Sequence, residues 1–132
     1  MQTNDRSCFS NILRVIEVLQ KNSGETCCFD NDCSRPFLGA LLTTLCYNTR
    51  PVTFYTCNGE IFTVTLNDGT TTSSIFRVEK VEDNCVTLRI LVPSTTPTDT
   101  SPYESSGEFV TINLECICII QCLPDVIVEN IC

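Results

Sequence analysis

The sequence predicts a mainly β protein: a sheet-rich, sandwich-like single domain with one N-terminal amphipathic α-helix. Near the start, apolar residues recur at helical spacing. From residue 51 onward, β-branched and aromatic runs alternate around tight-turn signals. At 132 residues the chain has the size of one domain and can bury roughly two thirds of its unfolded surface.

The helix is expected over about 8–22. Phe9, Ile12, Leu13, Val15, Ile16 and Leu19 recur every three or four residues, with Ser7 or Ser10 as N-cap and Asn22-Ser23-Gly24 as the stop. Cys8 falls at or just before the first turn, a position that suits a reactive thiol; the competing reading is a buried cysteine. Residues 25–35 form a Cys-rich turn segment with Cys27, Cys28 and Cys33, and the apolar run Phe37–Leu45 fits a second short helix or a buried strand.

The β region is expected at about 51–92 and 109–122. "VTFYTC" and "EIFTVTL" flank Asn58-Gly59, the strongest short hairpin signal. Asn67-Asp68-Gly69 makes another turn, and "SIFRVEKV" with "CVTLRILV" forms a second hairpin about Glu82-Asp83-Asn84. Residues 93–107, "PSTTPTDTSPYESSG", have almost nothing to bury and read as an exposed, mobile loop. The last strand begins at Phe109. Val110, Ile112, Leu114, Cys116 and Cys118 share one face, and Thr111, Asn113 and Glu115 hold the other. Past Glu115, Ile117, Ile119 and Ile120 make both faces apolar, which predicts cover on both sides, from the helix or from a neighbouring molecule. Cys116, Cys118 and Cys122 then count as small apolar residues of the inward face.

Composition narrows the function. The net charge is -8 with only eight Lys and Arg, which argues against nucleic acid, whose phosphates call for clustered cations. The start, "MQTNDRSCFS", lacks a basic region followed by an apolar core, so no secretory signal is expected; no apolar run is long enough for a membrane span. The eleven cysteines are more than a chain of this size needs to fold, and their odd number leaves one thiol over for another molecule. Synthesis in a reducing cytosol followed by later oxidation fits both facts.

Histidine is absent, so a Ser or Cys nucleophile lacks its usual base, and the acid pairs Asp30/Asp32 and Glu82/Asp83 sit in turns. Catalysis is not expected. Asp30-Asn31-Asp32 lacks the Gly and distal Glu of a calcium loop. Spacings of C-C-x4-C and C-x-C-x3-C depart from the C-x2-C knuckles of structural zinc. A zinc site from Cys27 or Cys28, Cys33 and two of Cys116, Cys118 and Cys122 is the rival reading; otherwise no cofactor is expected. A structural or interaction protein is the default.

Cys8 ahead of the helix, "CSRPFLGA", "NTRPVTFYTCNGEIF", "IFRVEKVEDNCVTLRIL" and "TINLECICIIQCLPDV", the last with the most specific cysteine spacing, follow one another along the chain. In this order they resemble one family, the cysteine-rich spore coat and exosporium proteins of the CotY/CotZ/ExsY type. The resemblance implies a protein that self-assembles into two-dimensional arrays of hexameric rings, which disulfides then reinforce. Cys8, Cys33, Cys85, Cys116, Cys118, Cys122 and one of Cys27 or Cys28 fall on family cysteine positions, whereas Cys46, Cys57 and Cys132 do not. Because they fall in expected mobile or terminal segments, Cys8, Cys27, Cys28, Cys33 and Cys132 are the intermolecular disulfide candidates. Cys85, Cys116, Cys118 and Cys122 are the core or internal disulfide candidates, with Cys116 or Cys118 pairing with Cys85 or Cys122. Its implied partners are further copies and other coat proteins, with no nucleic acid and no membrane. Synthesis in the mother-cell cytoplasm would precede deposition on the spore surface, in crust or exosporium. The alternative is a monomeric disulfide- or zinc-stabilised binding module that uses the 93–107 loop.

Overall fold

The computed structural model describes residues 8–28, 47–129 and 131, with side chains through Lys21 in the first stretch. One helix, α1 (Cys8–Cys28), precedes seven strands: β1 (Val52–Tyr55), β2 (Val64–Thr65), β3 (Thr72–Ser73), β4 (Ile75–Glu82), β5 (Cys85–Pro93), β6 (Tyr103–Asn113) and β7 (Ile119–Cys122). The class is the one the sequence predicts, mainly β with a single N-terminal helix. The helix runs past its predicted stop at Gly24, as far as Cys28.

Five strands form one antiparallel sheet in the order β6-β5-β4-β1-β7, and β2 and β3 form a small second sheet. The hairpin of β4 and β5 turns at Asp83-Asn84, where Asp83 takes a φ of 54°, a left-handed conformation that aspartate tolerates better than most residues. Arg77 and Arg89 face each other across this pair. The like charges are neutralised by Glu79, whose carboxylate accepts from Arg77 at 2.6 Å and from Arg89 at 2.7 Å. Buried Arg77 also donates to the Thr49 hydroxyl and the Asn48 carbonyl.

The Asn58-Gly59 hairpin is cut short. Thr56 N–H donates to Glu60 O and Phe62 N–H to Phe54 O, but after one bridge between Tyr55 and Ile61 the returning chain leaves for β2. The reason is competition for one edge: β4 takes over that side of β1 at Val52, opposite Phe76.

Because β1 touches β4 only there, the rest of that β4 edge needs other partners. Polar side chains of α1 supply them. Gln20 donates to Val78 O at 2.7 Å, Glu17 accepts from Val81 N–H at 3.1 Å, and Ser10 donates to Asp83 O at 2.7 Å. Between these bonds Leu13 and Ile16 enter the core beside Val52, Phe54, Phe76, Val78 and Leu88. Phe76 lies between Phe54 and Phe62, with ring centroids 5.9 and 5.7 Å away.

The 109–122 strand of the sequence reading is two strands. β6 starts earlier, at Tyr103, and stops at Asn113; a 3-10 turn, Leu114–Cys116, follows, and β7 then pairs with β1 at the opposite edge of the sheet. Leu114 N–H still bonds Asn84 O, while Cys118 N–H bonds Tyr55 O. In a flat sheet these two points would stand on the order of 25–30 Å apart, yet four residues reach at most about 14 Å. The sheet therefore bends sharply at the Val52–Phe76 corner and folds β1 and β7 over the core, which produces the sandwich-like form. Leu114 and Ile117 are the buried residues of this crossing.

The 93–107 stretch is a loop only from Ser94 to Pro102. It is held by bonds from Ser94 N–H to Pro102 O and from Ile127 N–H to Thr100 O.

Candidate functional site: the cysteine surface

The 3-10 turn settles where the "ECICIIQC" thiols point. Asn113 Oδ1 caps it by accepting from Glu115 N–H at 2.9 Å, and the turn shifts the alternation of the strand. Leu114 and Ile117 go inward, whereas Cys116, Cys118, Ile119 and Cys122 are exposed. The expected inward face of Cys116, Cys118 and Cys122 is thus corrected, and the helix does not supply the cover expected on both sides of the strand: within the chain Ile119 is 48% exposed on the edge strand β7.

Cys118 is bonded to Cys57, with Cα atoms 4.9 Å apart. The pairing differs from the expected partners, Cys85 or Cys122. Cys57 lies in the turn after β1, where Gly59 at a φ of 86° allows the tight reversal; Tyr55 O receives Cys118 N–H at 2.9 Å and so brings the two cysteines side by side. Sequence reading missed Cys57. Its only local signal is its place before Asn58-Gly59, and its partner, just ahead of β7, is 61 residues away.

Four other described cysteines are unpaired and exposed: Cys8, Cys85, Cys116 and Cys122. Cys8 opens α1, two residues from Ser10 and its bond to Asp83. Cys85 opens β5 directly after the Asp83-Asn84 turn, opposite Asn113, and Cys116 closes the 3-10 turn tied to Asn84. These three therefore lie about one end of the β4–β5 hairpin. For Cys85 the core placement is corrected too, because the first residue of β5 precedes the strand's buried positions. Cys122 lies at the other end of α1, opposite Val52. Ser10 marks one end and Gln20, which accepts from Arg50 N–H, the other; ten residues of helix separate them by about 15 Å.

Near Cys122, Arg50 and Asp125 form a two-pronged ion pair at 2.7 and 3.1 Å. The hydrogen bond and charge of Asp125 raise the Arg50 pKa, with a smaller contribution from Cys122. The bond from Arg50 in turn lowers Asp125, against partial burial.

Cys27 and Cys28 belong to the last turn of α1, but their side chains lie outside the described residues, as do Cys33, Cys46 and Cys132. Of the intermolecular candidates, Cys8 alone has a described side chain. Among the described residues no three Cys, Asp or Glu come together as a metal would require, and no helix is long and apolar enough to cross a membrane.

The arrangement is a folded β body with thiols presented outward at two separated ends, chemistry suited to covalent linkage between molecules. No curated protein and no solved structure matches the chain. The family model described as spore coat protein Z matches residues 1–105, a span that holds Cys8 and Cys85 and ends ahead of the "ECICIIQC" stretch. The chain belongs to the CotZ spore coat protein family, which gives it a structural role in the spore coat.

Proposed function

We propose that this chain is a self-assembling building block of the outermost spore layer, crust or exosporium, forming ordered two-dimensional arrays of rings that interchain disulfides reinforce. The observation that carries the reading is the outward presentation of Cys8, Cys85, Cys116 and Cys122 on a member of a coat family. Buried thiols would serve packing; exposed ones at two separated ends provide a lattice with at least two linking points per subunit. Weak contacts repeated around a closed ring gain strength from multivalency, and disulfides formed afterwards make the order permanent.

Cys27, Cys28, Cys33 and Cys132 complete the proposed linking set with Cys8. Cys85, Cys116 and Cys122 join it because they are exposed, and Cys118 with Cys57 stays internal. The proposed partners are further copies, in hexameric rings, and other coat proteins. The role is structural, without a catalytic step or cofactor, and synthesis in the mother-cell cytoplasm precedes deposition on the spore.

Negative-stain electron microscopy of the purified protein, with and without reductant, tests this. Rings or sheets that loosen in reductant are expected, with interchain disulfides identified by mass spectrometry of unreduced peptides. Single small particles under both conditions, with zinc found by elemental analysis, would replace the reading with a monomeric zinc-stabilised module.

A further inference from the structure

Helix α1 carries two apolar stripes. One, through Leu13 and Ile16, is spent on the core. The other is exposed: Ile12 is 45%, Val15 57%, Val18 52% and Leu19 48% accessible. At 100° per residue the directions of Cys8, Ile12, Val15 and Leu19 fall within about 60° of each other, roughly 100° from the centre of the core-facing stripe. Their spacing of four, three and four residues is the seam of a two-stranded helix pair, with Cys8 and Val15 on d-type positions and Ile12 and Leu19 on a-type ones. The described charged side chains of the helix, Arg14, Glu17 and Lys21, lie off this seam, and Glu17 is engaged by Lys21 and Val81 N–H. A copy of the same helix would therefore meet no like charge across the line of contact.

We propose that this stripe is a self-complementary docking face, on which α1 of a second copy packs in parallel about a two-fold axis, setting Cys8 against Cys8 for a disulfide. A two-fold contact joins the same patch on both partners, and a parallel pair stacks d against d. The area explains why a covalent bond belongs there. Four half-exposed side chains offer on the order of 300 Å² of apolar surface, against about 800 Å² per partner in a stable interface. Docking alone is weak; the disulfide holds it. Two Cys8 thiols are oxidised as the S–S bond forms, and a low-molecular-weight disulfide such as oxidised glutathione is reduced to two thiols, by exchange through a mixed disulfide.

This contact deepens the self-assembly reading and rests on it. The test uses the full chain. In dilute, reduced protein, carbene footprinting should label Ile12, Val15 and Leu19, and the label should fall at high concentration. Oxidised glutathione should then yield a Cys8–Cys8 peptide that joins ¹⁴N- and ¹⁵N-labelled copies. Val15→Glu should cut that product at least about tenfold, as expected for a charge forced into a dry seam, with circular dichroism and urea midpoint unchanged. Protection already present in dilute protein would mean that the chain itself covers the stripe, and would overturn the proposal. So would Cys8 linked only to other cysteines, or a Val15→Glu yield equal to wild type. Arrays without a Cys8–Cys8 bond would refute this contact and leave self-assembly standing; a Cys8-linked dimer that never forms arrays would do the reverse.

Discussion

Replacing both Cys57 and Cys118 by serine should destabilise the fold by about 4 kcal/mol. The bond joins residues 61 apart, and closing a loop of that length removes on the order of 14 cal/mol/K of chain entropy from the unfolded state. Both cysteines are exposed, so the serines leave no cavity and bury no new polar group; the cost falls on the unfolded chain. With a urea m-value of roughly 2 kcal/mol/M, a 4 kcal/mol loss lowers the midpoint by about 2 M. The assay is urea unfolding by far-ultraviolet circular dichroism without reductant, after alkylating the exposed thiols and confirming a monomer by light scattering. Wild type treated with reductant should unfold with the double variant. A midpoint within about 0.5 M of oxidised wild type would refute the reasoning, because the bond would then either not form in solution or not constrain the unfolded chain.

Three further outcomes follow from the packing and the turns. Phe76 is fully buried between two rings, so Phe76→Ala should cost about 3–5 kcal/mol in urea unfolding; a loss below 1 kcal/mol would take the ring out of the core. The Thr53 hydroxyl is buried without a hydrogen-bond partner, so Thr53→Val should raise stability by about 1 kcal/mol, and a decrease would mean that the hydroxyl has found a partner. The Asp68 carboxyl is held down from 3.8 to about 2, first by the Thr71 hydroxyl and then by the Thr71 and Thr70 amides. A folded pKa below the unfolded one gives stability that is present above about pH 4 and lost as pH falls through about 2. The gap between wild type and Asp68→Asn should therefore be constant above pH 5 and close between pH 4 and 2. A carboxyl ¹³C titration of Asp68 centred near 4 would contradict it.

Local signals were legible in the sequence. The helix, the Asp83-Asn84 hairpin and the Asn67-Asp68-Gly69 turn each depend on residues within a few positions of one another. Ile12 and Leu13 are adjacent and equally apolar, yet one is exposed and the other is core, and helical periodicity cannot distinguish them because the hydrophobic arc of α1 is wider than the face β4 can cover. The "TINLECICIIQC" stretch reads as one alternating strand for a similar reason: alternation reports the phase of a regular strand but not an interruption. Capping by Asn113 and the bend of the sheet break that phase.

What the sequence determined by itself was the class of the fold, the positions of its tight turns, the absence of histidine, and the cysteine stock with the family resemblance it carries. Tertiary structure alone decided the pairing and exposure of the thiols whose side chains are described. Cys118 finds Cys57 only because β7 lies beside β1, and Cys85, Cys116 and Cys122 are exposed because they open β5, close the 3-10 turn and end the edge strand β7. Pairing and burial are relations between residues far apart in the chain, set by which edges compete for which strands, and no window of neighbouring residues contains that competition.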